Sequence, residues 1–277
     1  MLVNAIKIEN HKKGHPYHLV DVSPWPIITS GSLLVLTSGA AMYFNGYLYG
    51  EWILLFGLLI CLSSAFIWWR DVIRESTYQG EHTSAVERGL KWGIVLFICS
   101  EISLFGSFFW SYGHSSLTPS VELGGIWPPL GIEPLNPWTV PSLNAIILLS
   151  SGVSATYSHH SILLGGKKGY FGGVLGLSIT LILAIIFTIL QGFEFYTSSF
   201  TISDSIFGST FYMTAGMHGL HVIIGGLFIY VCLVRIILGH LTNKHHVGLE
   251  GALWYWHTVD FIYLLLYTIF YFWGMGS

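Results

Sequence analysis

Seven stretches of mostly apolar residues, each near the roughly 20 residues a helix needs to cross a hydrocarbon core about 30 Å thick, constrain this chain before any motif does. They run from Trp25 to Gly46, Glu51 to Trp69, Gly89 to Gly113, Val140 to Leu164, Tyr170 to Phe193, Ile206 to Leu238 and Leu253 to Trp273. The runs are continuous rather than alternating, and in lipid each segment must satisfy its own backbone N–H and C=O groups, so helices are the spanning form. Only 9% of the 277 residues are charged, against about 25% in soluble domains. A water-soluble domain is excluded, and the fold class is all-α and polytopic.

The basic residues test the span count independently, because Lys and Arg collect in the loops on one side of a membrane. Lys7, Lys12 and Lys13 precede the first span, and Arg70, Arg74, Arg88 and Lys91 surround the second connection. Lys167 and Lys168 sit in the fourth, while Arg235 and Lys244 flank the sixth. These are all 11 cations, and they alternate to one side, placing the N-terminus inside. A net charge of -3, thinly spread, gives no footing for nucleic acid. Cys61, Cys99 and Cys232 lie in apolar runs without CxxC spacing, so neither a disulfide nor a thiolate metal site is expected. The N-terminal stretch lacks the apolar core of a signal peptide and the composition of a transit peptide.

The connections divide the chain into an N-terminal inner segment, 1–24, a pair of helices, 25–69, an inner polar linker, 70–88, and five further helices, 89–277. No internal repeat, Walker loop, GxGxxG turn, serine-hydrolase elbow or HExxH is present. The long outer loop from His114 to Pro141 carries Pro119, Pro128, Pro129, Pro134 and Pro137, which should order it through rigid turns. Gly216, Gly219, Gly225 and Gly226 suit close packing by the sixth helix.

Polar residues at membrane depth mark the candidate sites. Glu101 falls at the middle of the third span, where an acid costs about 2.5–3.5 kcal/mol on insertion scales. It reads either as a proton-transfer acid or, preferred here, as a neutral buried carboxyl bonded to a neighbouring helix, with Phe97 and Phe105 one turn either side. His218 and His221 share one face of the sixth helix. Neighbours on one face cannot ligate a haem from both sides, so interhelical hydrogen bonding, with Glu101 as a candidate partner, is favoured over a metal. His257 and Asp260 read as an internally satisfied pair near the inner end of the seventh span. The doublets His159, His160 and His245, His246 sit at span ends, where a lipid or interface role is expected rather than metal. Trp68 to Tyr78, including Trp69 and Glu75, reads as an interfacial belt, with Arg74, Arg235 and His245 as candidates for a phospholipid head group.

Several strings are more specific. Ser23-Pro-Trp-Pro, Trp68-Trp-Arg-Asp-Val-Ile-Arg-Glu-Ser-Thr, Glu122-Leu-Gly-Gly-Ile-Trp-Pro-Pro, Phe200-Thr-Ile-Ser-Asp, Gly208-Ser-Thr-Phe, His218-Gly-Leu-His-Val-Ile-Ile-Gly and Trp254-Tyr-Trp-His-Thr-Val-Asp resemble subunit III of cytochrome c oxidase, from about His18 to Gly274. The resemblance implies seven helices, two beside five with a lipid-filled cleft. It also implies a non-redox core subunit of an oxidase that reduces oxygen and pumps protons. Haem a, haem a3 and copper would lie in partner subunits, with none bound directly here and structural phospholipids held instead. Subunit I is the implied main partner, with subunit II and accessory subunits completing the complex. By that likeness Glu101 corresponds to the family's carbodiimide-reactive carboxyl. Arg74, Tyr78, His82, Arg235 and His245 resemble its lipid contacts, and His18 its histidine near proton uptake. Gly80-Glu81-His82 carries an acid where many relatives have a second His, and Val247 replaces an aromatic. The implied location is the mitochondrial inner membrane, N-terminus in the matrix and C-terminus in the intermembrane space, with a bacterial plasma membrane as the alternative. A stand-alone transporter using Glu101 and Asp260, or a membrane cytochrome, would be the competing classes.

Overall fold

A computed structural model describes residues 15–275. Lys7, Lys12 and Lys13, together with residues 1–14 of the expected N-terminal segment, lie outside the described residues. Seven helices long and apolar enough to cross a membrane follow in order: α1 Trp25–Phe44, α2 Gly50–Thr77, α3 Ser84–Leu117, α4 Val140–Leu164, α5 Gly166–Thr197, α6 Ser205–Ile237 and α7 Val247–Leu266. The last span continues through π-helical turns, Tyr267–Phe272, and a short 3-10 turn, Trp273–Met275. No strand occurs among the described residues.

Several helix boundaries differ from the apolar runs, four of them by several residues into polar sequence. α2 runs on to Thr77 and α3 begins at Ser84, so most of the expected polar linker 70–88 is helix. α5 starts at Gly166 and takes in Lys167 and Lys168, while α7 starts at Val247 rather than Leu253. The reason is common to all: hydropathy marks where hydrocarbon ends, whereas the hydrogen-bonded helix can continue into the polar zone, where its charged side chains stay hydrated. His257 and Asp260 thus lie about three turns into the helix, Val247–Met275, although only one to two turns into its apolar run. Between α4 and α5 the chain turns on Gly165 and Gly166, at φ +68° and +66°, a conformation glycine enters without steric cost.

The chain forms two compact units, the first ending at Gly89 and the second beginning at Leu90. In the first, α1 and α2 lie against each other at backbone distance. A Cβ on Gly39 would come within 2.4 Å of the Leu54 nitrogen, and one on Gly57 within 2.5 Å of the Leu36 nitrogen. Small residues allow this approach, which replaces the missing hydrophobic drive between helices in lipid by van der Waals contact. Thr29 and Ser64 join the same face at 3.1 Å. At the end of the pair, Trp25 Nε1 donates to Asp71 Oδ2 at 2.8 Å, and Arg70 grips the other carboxylate oxygen through Nε and Nη2 at 3.0 and 2.9 Å.

In the second unit α7 supplies much of the core. Trp256 is fully buried and donates from Nε1 to Ser151 Oγ at 2.9 Å, and the Tyr263 hydroxyl donates to the Pro141 carbonyl at 3.1 Å. α4 and α5 meet through Gly172, Gly173 and Gly176, where Ser158 Oγ donates to the Gly173 carbonyl at 2.8 Å. Of the four α6 glycines expected to permit close packing, Gly225 does so within this chain, a Cβ there meeting Trp256 at 2.9 Å. Gly216, Gly219 and Gly226 have nothing of this chain's described residues within 4 Å of that position. The proline-rich loop is tied down at both ends of its course: Trp127 donates to the Tyr112 hydroxyl at 3.1 Å, and Tyr267 donates to the Pro137 carbonyl at 3.2 Å.

Candidate functional site

Glu101 stands near the middle of α3, Ser84–Leu117, and meets a base from α6. His221 Nε2 lies 2.6 Å from Glu101 Oε2, and His221 Nδ1 lies 2.6 Å from the Met217 carbonyl one turn earlier. A carbonyl oxygen only accepts, so Nδ1 carries a proton and donates to it. The Nε2 to Oε2 contact then requires one more proton, held by the carboxyl in a neutral pair or by the imidazole in an ion pair. Both forms have zero net charge, which is how this acid is accommodated at membrane depth.

The surroundings are aromatic. Phe105 meets the His221 ring edge-on at 5.0 Å, Tyr255 stacks parallel to it at 6.3 Å, and Phe97 stacks on Tyr255 at 6.2 Å. The side chains of His221 and Glu101 are 8% and 18% exposed, so the carboxyl is the less buried of the two. Sequence spacing brings Phe97 and Phe105 to this face, but Tyr255 is legible only once α7 is in place.

His218 does not join the pair. Its Nε2 donates to the Val259 carbonyl at 3.2 Å, and its ring packs against Phe187 at 5.7 Å and Tyr263 at 5.2 Å. Three residues advance a helix by about 300°, so the two side chains stand about 60° apart on one face, and His221 meets Glu101 of α3 while His218 meets the Val259 carbonyl of α7. His221 thus has hydrogen-bond partners at both ring nitrogens, and His218 has one at Nε2.

A second polar pair joins α7 to α4. His257 Nδ1 lies 3.7 Å from Asp260 Oδ2, and His257 Nε2 is 3.2 Å from Thr156 Oγ1. Gly152 makes room for the carboxylate, since a Cβ there would come within 2.5 Å of Asp260 Oδ2. These residues edge an open groove of about 590 Å³ lined with Leu149, Val153, Phe261 and Leu264. The two acids proposed for a transporter relay, Glu101 and Asp260, thus have separate basic partners on different helices.

The residues implied as lipid contacts fall in both units. In the first, Arg74 Nη1 lies 3.9 Å from Asp71 Oδ1 with its side chain 58% exposed, and Trp69 is exposed beside it. Glu75 is half-buried at the end of α2, ahead of Tyr78 and His82, and the His18 and His82 rings are 6.0 Å apart. In the second unit Arg235 lies in the last turn of α6 beside Gly248, and its Nε is buried without a hydrogen-bond partner. His245 belongs to the turn closed by His245 N donating to Thr242 Oγ1 at 3.1 Å. Sequence reasoning missed the Trp25 to Asp71 bond, a contact between residues 46 positions apart that no local spacing announces.

Comparison with known proteins gives a consistent answer. The family model described as Cytochrome c oxidase subunit III matches residues 15–275. Proteins named cytochrome c oxidase subunit 3 align over 260 residues, covering 94% of this chain. The one from Arabidopsis thaliana is 54% identical and is covered over 97% of its length. Those from Prototheca wickerhamii and Equus caballus are each 52% identical and each covered over 98%.

Proposed function

The chain belongs to the cytochrome c oxidase subunit III family, and from that membership we propose that it serves as a non-redox membrane subunit of the terminal respiratory oxidase, which reduces oxygen to water and pumps protons. The family match across residues 15–275 carries this reading. In it, haem a, haem a3 and copper belong to partner subunits. This chain packs chiefly on subunit I, alongside subunit II and accessory subunits. The plant and animal relatives support the mitochondrial inner membrane, and the one-sided distribution of Lys and Arg supports an N-terminus in the matrix and a C-terminus in the intermembrane space.

The chain's own contribution follows from its polar residues. Glu101 and His221 form a proton-holding pair with no net charge, which fixes α3 to α6 and leaves the carboxyl edge accessible beside the aromatic residues. His18, near His82 in the first unit, belongs to the region that supports proton uptake by subunit I. Trp69, Arg74, Glu75, Tyr78 and His82 in the first unit, and Arg235 and His245 in the second, contact phospholipid head groups. Arginine supplies the planar fork that suits phosphate oxygens.

The test is a reduced-minus-oxidised spectrum of the affinity-purified chain in mild detergent, repeated after a harsher detergent strips its partners. An a-type haem signal that co-purifies and then leaves with the partners is expected. Haem retained by the stripped chain would replace this reading with a membrane cytochrome. Haem absent from both preparations would redirect attention to transport, assayed with the chain alone in liposomes.

A further inference from the structure

Two histidines and a glutamate, far apart in the sequence, converge in the second unit near the end of α4 and the start of α7. His159 comes from α4, His246 is the N-cap of α7, and Glu250 lies in its first turn. One ligand atom from each falls within 4.8 Å of the others. From this geometry we propose that His159, His246 and Glu250 form a binding site for a zinc-like divalent cation that clamps α4 to α7.

Four observations support the assignment. The separation of His246 Nε2 from Glu250 Oε1 is 3.3 Å; a tetrahedral ion with bonds of about 2.0–2.1 Å sets its ligand atoms about 3.3–3.4 Å apart. His246 Nδ1 lies 3.0 Å from the Thr242 carbonyl, to which it can only donate. That bond orients the ring and leaves Nε2 as the ligand atom, the second-shell arrangement usual for metal-bound histidine. The Thr242 to His245 turn, closed by a backbone bond of 3.2 Å from Thr242 N to the His245 carbonyl, holds that carbonyl in place. Finally, His159 Nε2 is buried with no hydrogen-bond partner, although its ring lies 5.5 Å from that of His246. Buried polar atoms are nearly always satisfied, and an ion is one way to satisfy this one.

The donor set selects the ion. Two imidazoles and one carboxylate favour zinc over calcium or magnesium, and leave a fourth position for water. Lys91 Nζ lies 2.5 Å from Glu250 Oε2, the oxygen turned away from His246, with its side chain 40% exposed. Lys91 is thus a competing cation that can swing into solvent when the ion enters. The fold also explains why the doublets His159, His160 and His245, His246, taken separately, do not suggest a metal: each provides one ligand, and only the meeting of α4 with α7 completes the set.

The test uses the intact oxidase complex, stripped with chelator and equilibrated in zinc-buffered solution, with zinc per complex read by elemental mass spectrometry. Its haem spectrum reports separately on subunit membership. The wild-type complex should bind one zinc more than the His159→Gln complex, whose affinity at this site should fall by at least about 100-fold, the upper range lost when only an outer-shell partner is disturbed. Lys91→Gln should tighten binding several-fold, an effect that a structural salt bridge would not produce. Equal zinc content and affinity in wild type and His159→Gln would overturn the proposal. Should that variant fail to assemble, anomalous scattering at the zinc edge from wild-type crystals decides: a peak among the three side chains supports the site, and its absence after zinc loading overturns it.

Discussion

Glu101 would be a costly residue if it were alone. An unpartnered acid at the centre of a span is unfavourable by about 2.5–3.5 kcal/mol on insertion scales, and His221 removes that cost by sharing one proton with it across 2.6 Å. Two substitutions separate hydrogen bonding from charge. Glu101→Gln keeps a side chain that can bond to His221 Nε2, so the complex should assemble and retain most oxygen reduction in a steady-state oxygen-uptake assay. A loss comparable to removing a haem ligand, in an assembled complex, would contradict the non-redox role. His221→Leu instead strands the carboxyl among Phe105 and Tyr255, and leaving a buried polar group unsatisfied costs about 1–3 kcal/mol. That variant should lose this subunit from the complex at a lower temperature, measured by thermal dissociation in detergent. The same logic extends to Asp260, where Gly152 provides the space and His257 the nearby base.

Helix pairs here are set by which faces are small. α1 and α2 touch through Gly39, Gly50 and Gly57, where an added Cβ would overlap backbone atoms of the opposite helix at 2.4–2.6 Å. Gly57→Leu must therefore push the two helices apart, and overpacking of this kind costs about 1–3 kcal/mol or more. The expected result is faster limited proteolysis at the 45–50 turn, with Gly31→Leu as the control, because Gly31 has nothing within 4 Å of its Cβ position. Equal cleavage rates in the two variants would show that the pair is not held by this contact. The polar end of α2 is a second element-scale feature. Asp71 gathers Trp25 and Arg70, so the charged residues after Trp69 extend the helix instead of ending it.

For the molecule as a whole, the long helices with exposed Leu, Ile, Phe and Trp along their lengths define a surface made for lipid and for partner helices. Removing head-group contacts in both units with Arg74→Ala and Arg235→Ala should lower the phospholipid retained by the purified complex and shorten its catalytic lifetime. Native mass spectrometry and turnover progress curves measure the two effects, and unchanged lipid content would refute the head-group assignment. Much of the architecture is legible in the sequence because membrane insertion reads local quantities: apolar length fixes the seven spans, and the eleven basic residues group their connections. Glu101 is legible for the same reason, being an acid where hydrocarbon makes an acid expensive. The helix ends at Thr77 and Ser84 are not, because hydrogen bonding continues past the apolar stretch. Partner identity is also hidden: His221 and His218 share a spacing and a helix, yet one meets Glu101 and the other the Val259 carbonyl. Sequence alone determined that this chain crosses a membrane seven times as helices, since that depends on local apolar length and charge. Only the tertiary structure decided which polar residues meet, because contacts such as His221 with Glu101, or His159 with His246, depend on how helices distant in sequence pack side by side.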